Sequence, residues 1–508
     1  MKQFTLFILL MLAASEGMAQ RKVKLKNAET LKGSMQNGVR VDWVVGKVVF
    51  EQQQTTIYCD SAIFDRAKNS VEAYGHVKIT EGDSVTVTAA RLTYDGNTKI
   101  AYLRKNVVFN KLQTATLYTD FLDYDRKRNM AKYFNSGKLV DSTNTLTSKK
   151  GYYDLKANLA SFKTDVVGVN KENTMRSDTL QYHSRSKVIF FRAYTEVKDK
   201  EGRTGYYEHG FYDTKSKTSD LAQGDFETTN YKLKGTKLFL DDVRKFYRAA
   251  GNVVLTSKEE NMHIYGDDGF YDKKNMISKV YGHAYVARVT EESDTLFISA
   301  DTLVSIDSND PARKRLLAYH NVRIFKSDLQ GRSDSLAYHA KDSTIYFYGD
   351  PVLWTDDNQM TADSIRVLLV KKKINKIYMV STAFVASEDS LKNFNQIKGR
   401  KMTAFFDDKN IRHVNVEGNG ESIYFALQQM GEEDSTKVTI VSGMNKIICS
   451  NMKINFKTGK IDNISFYVKP DASFIPPHEL KKEETILRGF TWRANARPTR
   501  GTVVQRKP

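Results

Sequence analysis

Hydrophobic and polar residues alternate along most of this chain with the period of two that marks a half-buried β-strand. In the stretch from Val71 to Thr80, Val71, Ala73, Val77 and Ile79 fall between Glu72, Tyr74, His76, Lys78 and Thr80, and Tyr58 to Phe64 alternates in the same way. Turn residues separate such stretches: Asp65-Arg-Ala-Lys-Asn69, Asp95-Gly-Asn97, Asp125-Arg-Lys-Arg-Asn129, Asp154-Leu-Lys-Ala-Asn158 and Asp272-Lys-Lys-Asn275. Asp and Asn favour such places because their side chains bond the nearby backbone, and Asp-Gly is a strong hairpin signal. The pattern predicts an all-β chain of short antiparallel strands.

One phrase, an Asp, three further residues and then an aromatic, recurs along the chain. Asp60-Ser-Ala-Ile-Phe64 returns as Asp120 to Tyr124, Asp178 to Tyr182 and Asp334 to Tyr338, and in weaker form as Asp301-Thr-Leu-Val-Ser305 and Asp363 to Val367. Copies without the leading Asp end at Tyr94, Tyr153 and Tyr212, so the anchors from Phe64 to Tyr212 lie 30, 30, 29, 29 and 30 residues apart. A second phrase, Gly or Asn before β-branched residues, follows each anchor: Gly75-His-Val77, Asn106-Val-Val108, Gly251-Asn-Val-Val254 and Gly349-Asp-Pro-Val352. A period in this range is the signature of a repeat architecture. We count about thirteen two-strand units over residues 56–469, with one strand of each unit expected in each of two sheets. The fold class is therefore an extended antiparallel β-jelly roll or β-solenoid. Regularity weakens at residues 305–318 and 430–444, which are candidate kinks or loops.

The ends read differently. Lys2, the apolar run from Phe4 to Ala14 and Gly17-Met18-Ala19 form a secretory signal peptide over residues 1–19. That run of eleven residues falls short of the roughly 20 that span a bilayer. Residues 20–55 form a lead-in and half repeat. Five of the seven prolines follow residue 469, so residues 470–508 read as a basic cap and mobile tail.

Composition narrows the function. Seven prolines and 29 glycines in 508 residues exclude collagen-like and proline-rich linker classes. Two cysteines, Cys59 and Cys449, exclude a disulfide framework. The net charge of +18 is unevenly spread: six-residue windows after eleven anchors hold 20 Lys and Arg against 12 Asp and Glu, whereas the junctions between units, such as Thr80-Glu-Gly-Asp-Ser84 and Thr290-Glu-Glu-Ser-Asp294, are acidic. Opposite edges of opposite sign are expected, the basic one suited to phosphate-bearing partners. Nucleic acid is not an expected partner, since the chain is exported and its aromatics recur in strand phase.

No G-x-S-x-G, H-E-x-x-H, P-loop or paired C-x-x-C motif occurs, so no catalytic residue, metal ligand or cofactor is expected. His76, His283 and His320 hold recurring positions of the second phrase and read as solvated turn residues. The recurring Asp reads as a strand-end hydrogen-bonding residue, because calcium loops need several oxygen ligands within about a dozen positions.

Taken together, the leader, the thirty-residue unit, the Asp60-Ser-Ala-Ile-Phe64 phrase and the Gly-x-Val turns resemble the OstA-like (organic solvent tolerance) family over roughly residues 43–469. The resemblance implies a non-enzymatic periplasmic bridge for lipopolysaccharide, associated with the outer membrane, whose jelly roll shields lipid A acyl chains. It also implies an outer-membrane barrel assembly protein and an inner-membrane transporter complex as partners, and head-to-tail self-association. Phe64, Val71, Val77, Ile79, Tyr94, Val107 and Tyr124 are the residues expected to line the sleeve. The competing reading is an exported structural or adhesive β-solenoid without lipid cargo. A polysaccharide-cleaving β-helix would need clustered carboxylates and shorter coils.

Overall fold

Each repeat folds because every second strand carries a two-residue kink at its middle. In the strand Ser70–Glu81, Gly75 and His76 have φ of +71° and +42°. The register with the neighbouring Thr55–Asp65 and Val85–Asp95 slips at that point, leaving one residue too many on the kinked strand. Such a bulge bends a strand and sharpens its twist. Its first half therefore lies in one arm of the sheet and its second half in a facing arm. The same pair of positive φ angles recurs at Lys105-Asn106, Thr164-Asp165, His320-Asn321 and Ser381-Thr382. Within each unit the bulges stack into a crease, and the apolar face lies inside.

The computed structural model describes residues 22–504 except 37, 112–113, 228–230, 259–260, 291–293, 356, 372, 408–409, 431–437 and 458–459. The leader, the end of the tail and part of the irregular stretch 430–444 thus lie outside the described residues. The described residues form 35 strands with antiparallel pairings, in two units: Met1–Thr229 with Lys237–Val243, and Asn230–Thr236 with Arg244–Pro508.

Two sequence expectations change here. Each strand, not each repeat, serves both arms, because every bulged strand turns midway and its unbulged neighbours pair with both of its halves. The recurring Asp also stands at this crease and not at a strand end: Asp60 takes a 2.8 Å contact from His76, Asp120 accepts from the Asn106 amide at 2.9 Å, and Asp267 meets His283 at 2.7 Å. The histidines are solvated as expected, but they occupy bulges. Gly75 is required twice over, by its φ and because a Cβ there would lie 2.3 Å from the Asp60 carboxylate. The hairpin turns behave as predicted: Asp65, Asp125 and Asp154 each accept a 2.9 Å bond from an amide three residues on, and Asn69, Asn129 and Asn158 close the turns at φ near +56°.

In the second unit the described residues of the expected cap and mobile tail are docked. Strand Asp471–Ile475 pairs with Val438–Lys457, and the chain then crosses the outer face of one arm. Three buried glutamines hold it, two of them by its backbone. Gln396 bonds the Thr485 carbonyl and the Leu487 amide, both at 2.8 Å; Gln359 bonds the Thr491 carbonyl and the Arg493 amide, both at 2.7 Å; and Gln330 accepts from the Arg497 side chain at 2.7 Å. The strap ends in the helix Arg500–Val503, capped by Thr499. There Val503 packs on Tyr285 and Phe297, with the Arg500 guanidinium 5.2 Å from the Phe297 ring.

Candidate functional site

The inward row nearest the lip of one arm can be followed from strand to strand. In the first unit it runs Phe64, Val71, Tyr94, Ala101, Tyr124, Ala131, Tyr153 and Ala160. Large rings alternate with small side chains, so each ring plugs the space its neighbours leave. Rings also reach across to the facing arm: Phe109 meets Tyr124 edge-on at 5.5 Å and Tyr153 at 6.3 Å.

The two kinds of hairpin turn form the two lips of this fold, and in the first unit the lips are bonded to each other. The Tyr94 hydroxyl donates to Gln52 and accepts from Arg126 at 2.6 Å. The Tyr124 hydroxyl donates to Glu81 at 2.5 Å. Lys187 reaches Asp141 at 2.8 Å, Tyr182 donates to the same carboxylate, and Lys217 meets Glu172 at 3.1 Å. The opposite signs of the two turn types, expected to form a basic rail for phosphates, are here spent on closing the mouth.

Burial explains the titration behaviour of this latch. It pushes the Tyr124 phenol up, reinforced by the bond to Glu81. It also raises the Tyr94 phenol, opposed by Arg126. Burial alone would raise the Asp141 carboxyl as well, but bonds from Lys187, Tyr182 and the Thr143 and Asn144 amides outweigh it and hold that carboxyl below its ordinary value.

All seven residues expected to line the sleeve lie inside this latched section, none more than 2% exposed. Phe64, Val71, Tyr94 and Tyr124 share the lip row, while Val77, Ile79 and Val107 sit beyond the crease in the facing arm. The structure brings them together as a packed core.

The second unit holds a stretch that is built differently. Its lip row runs Tyr247, Tyr271, Ser278, Ser305, Leu316 and Tyr338. Ser305 stands where the alternation would put a ring, beside Ser278 at a small position, and Tyr271 and Leu316 are 39% and 45% exposed. Beneath them the inward row of the facing arm, Leu255, Ile264, Val286 and Ile298, is only half-buried. Its counterparts in the first unit, Ile79, Val87, Phe109 and Leu117, are at most 1% exposed. These residues were missed as a site, although Ser305 in the place of an aromatic anchor was the visible signal.

Among the described residues no group of three or more His, Cys, Asp or Glu could hold a metal ion, and no helix is long and apolar enough to cross a membrane. Cys59 and Cys449 are free, buried and in different units.

Each unit is a folded antiparallel sheet with an apolar interior, creased at its bulges. Residues 20–178 match the OstA-like protein family. This OstA-like segment is less than half of the chain and lies within the first unit. Among solved structures the chain is similar to one described as LptH, the LptA-homologous periplasmic component of the conserved lipopolysaccharide transport device from Pseudomonas aeruginosa. The identity is 14%, the match covers 27% of this chain and 80% of that one, and the TM-score is 0.14. No curated protein matches the sequence.

Proposed function

We propose that the protein is a non-enzymatic periplasmic bridge that binds lipopolysaccharide and shields its lipid A acyl chains in the apolar β-groove on the way to outer-membrane assembly. The observation that carries this reading is the inward apolar row that continues from strand to strand within each unit, joined to the OstA-like match. Exposing one acyl chain of about twelve methylenes to water costs on the order of 10 kcal/mol, at roughly 0.8 kcal/mol per CH₂. A lipid crossing an aqueous space therefore needs an apolar sleeve of this kind. In this reading Phe64, Val71, Val77, Ile79, Tyr94, Val107 and Tyr124 touch cargo when the first unit's latch is open.

Partners follow from the same reading: an outer-membrane barrel assembly protein and an inner-membrane transporter complex. Head-to-tail self-association is supported by the edge strands. Among the described residues Lys24–Asn27 and Thr30–Gln36 pair with one neighbour, and so do Lys460–Tyr467 and Asp471–Ile475. Unsatisfied edges of this kind invite pairing with another chain.

One observation favours the alternative of an exported structural β-solenoid: the first unit's interior is already full. Mass spectrometry of lipids retained by the full chain purified from the periplasm separates the two. Stoichiometric lipopolysaccharide supports the bridge, and lipid-free protein supports the structural reading.

A further inference from the structure

We propose that the acyl chains enter through the unplugged mouth of the second unit, between Tyr271 and Leu316, and seat on Ile264, Val286 and Ile298. The proposal rests on the lipopolysaccharide reading above and deepens it by giving that cargo a place.

Three observations converge there. The row that elsewhere carries a ring at alternate strands carries Ser305 at a ring position, next to the small Ser278, so the alternation leaves a gap about one aromatic side chain deep. The apolar floor under this gap is only half-buried while the corresponding floor of the first unit is sealed. An open apolar floor costs free energy in water, and a protein keeps one where something binds.

The lip beside the gap supplies the matching charge. Lys273, Lys274, Arg313 and Arg315 are exposed on the turns that follow Tyr271 and precede Leu316, alongside Asp272 and an Asp310 carboxylate that lies 3.9 Å from Arg313. A phosphorylated glycolipid whose tails lie on the floor would bring its headgroup to this basic lip. The strap explains why the gap does not collapse. Its terminal helix packs on Tyr285 and Phe297, which face outward from the same two strands whose Val286 and Ile298 face in, and Arg323 adds a 3.1 Å bond to the Thr502 carbonyl.

The test is to restore the missing plug. Ser305→Tyr in the full chain should weaken binding of purified lipopolysaccharide by about tenfold or more, with Ser305→Ala staying within about threefold of the parent, and with circular dichroism unchanged. A folded Ser305→Tyr protein with parental affinity overturns the proposal. If that variant does not fold, Leu316→Asp, at an already exposed position, is read in the same way. A parent chain that binds no lipopolysaccharide overturns the lipopolysaccharide reading as well, whereas binding that ignores the plug overturns only this site. Displacement of lipopolysaccharide by phosphatidylglycerol vesicles at equal lipid concentration would also overturn it, in favour of a general lipid site.

Discussion

The first unit reads Tyr94, Ala101, Tyr124, Ala131 along its lip row, and the second reads Tyr271, Ser278, Ser305, Leu316. Backbone, bulges and hairpins follow the same plan in both, so the difference is one of side chains at equivalent places. With rings in the row, the hydroxyls reach polar groups on the opposite lip and the interior is sealed. With Ser305 in place of one ring, the floor beneath stays within reach of solvent. A repeat fold can thus carry a closed section and an open one by exchanging a few residues per unit, because each unit contacts mainly its neighbours.

The contrast can be broken most forcefully at a ring. Tyr124→Ala should destabilise the first unit by about 3–5 kcal/mol, the range for losing a large buried side chain, measured as a drop in the urea midpoint of that unit's transition. Ser305→Ala should shift no midpoint. Next in size, Lys187→Ala leaves Asp141, whose side chain is 1% exposed, without its cation; about 3 kcal/mol is expected for a stranded buried charge. Hydrogen exchange at the Asp141 and Tyr182 hairpins would report it. A smaller effect is expected at the strap: Gln396→Ala removes two bonds to the chain near Leu487, worth about 1–2 kcal/mol together, and should speed tryptic cleavage at Arg488 without altering the first unit.

The smallest effect is one of pH. Asp141 is held below its ordinary value of 3.8, so its contribution to the latch is complete above that value and is lost as pH falls through the lower folded one. Exchange protection of the first unit's lips should therefore decline in acid below about pH 4, and Asp141→Asn should flatten that decline. A latch that loosens instead on raising the pH from neutrality would contradict the assignment.

Much of the architecture could be read from the chain. The anchors from Phe64 to Tyr212 carry the thirty-residue period on their own, and the Asp and Asn turns fall where expected. The crease was harder to see, because its positive φ angles are borne by Lys105-Asn106 or Thr164-Asp165 as readily as by Gly75; no residue type marks it reliably. The strap left no local trace at all. Gln330, Gln359 and Gln396 bond chain 89 to 167 residues away, and its prolines and arginines look like those of a free tail. The open site had a signal in Ser305 and the irregular stretch after it, but a missing anchor reads as a weak repeat until strand pairing shows that it empties a plug position.

Photocrosslinking decides most directly whether the open section carries cargo. A benzophenone side chain placed singly at Ile298 and at Val77 of the full chain, irradiated in cells, should give lipopolysaccharide adducts at Ile298 with a yield roughly tenfold above that at Val77. Equal yields, or adducts at Val77 alone, would contradict the account.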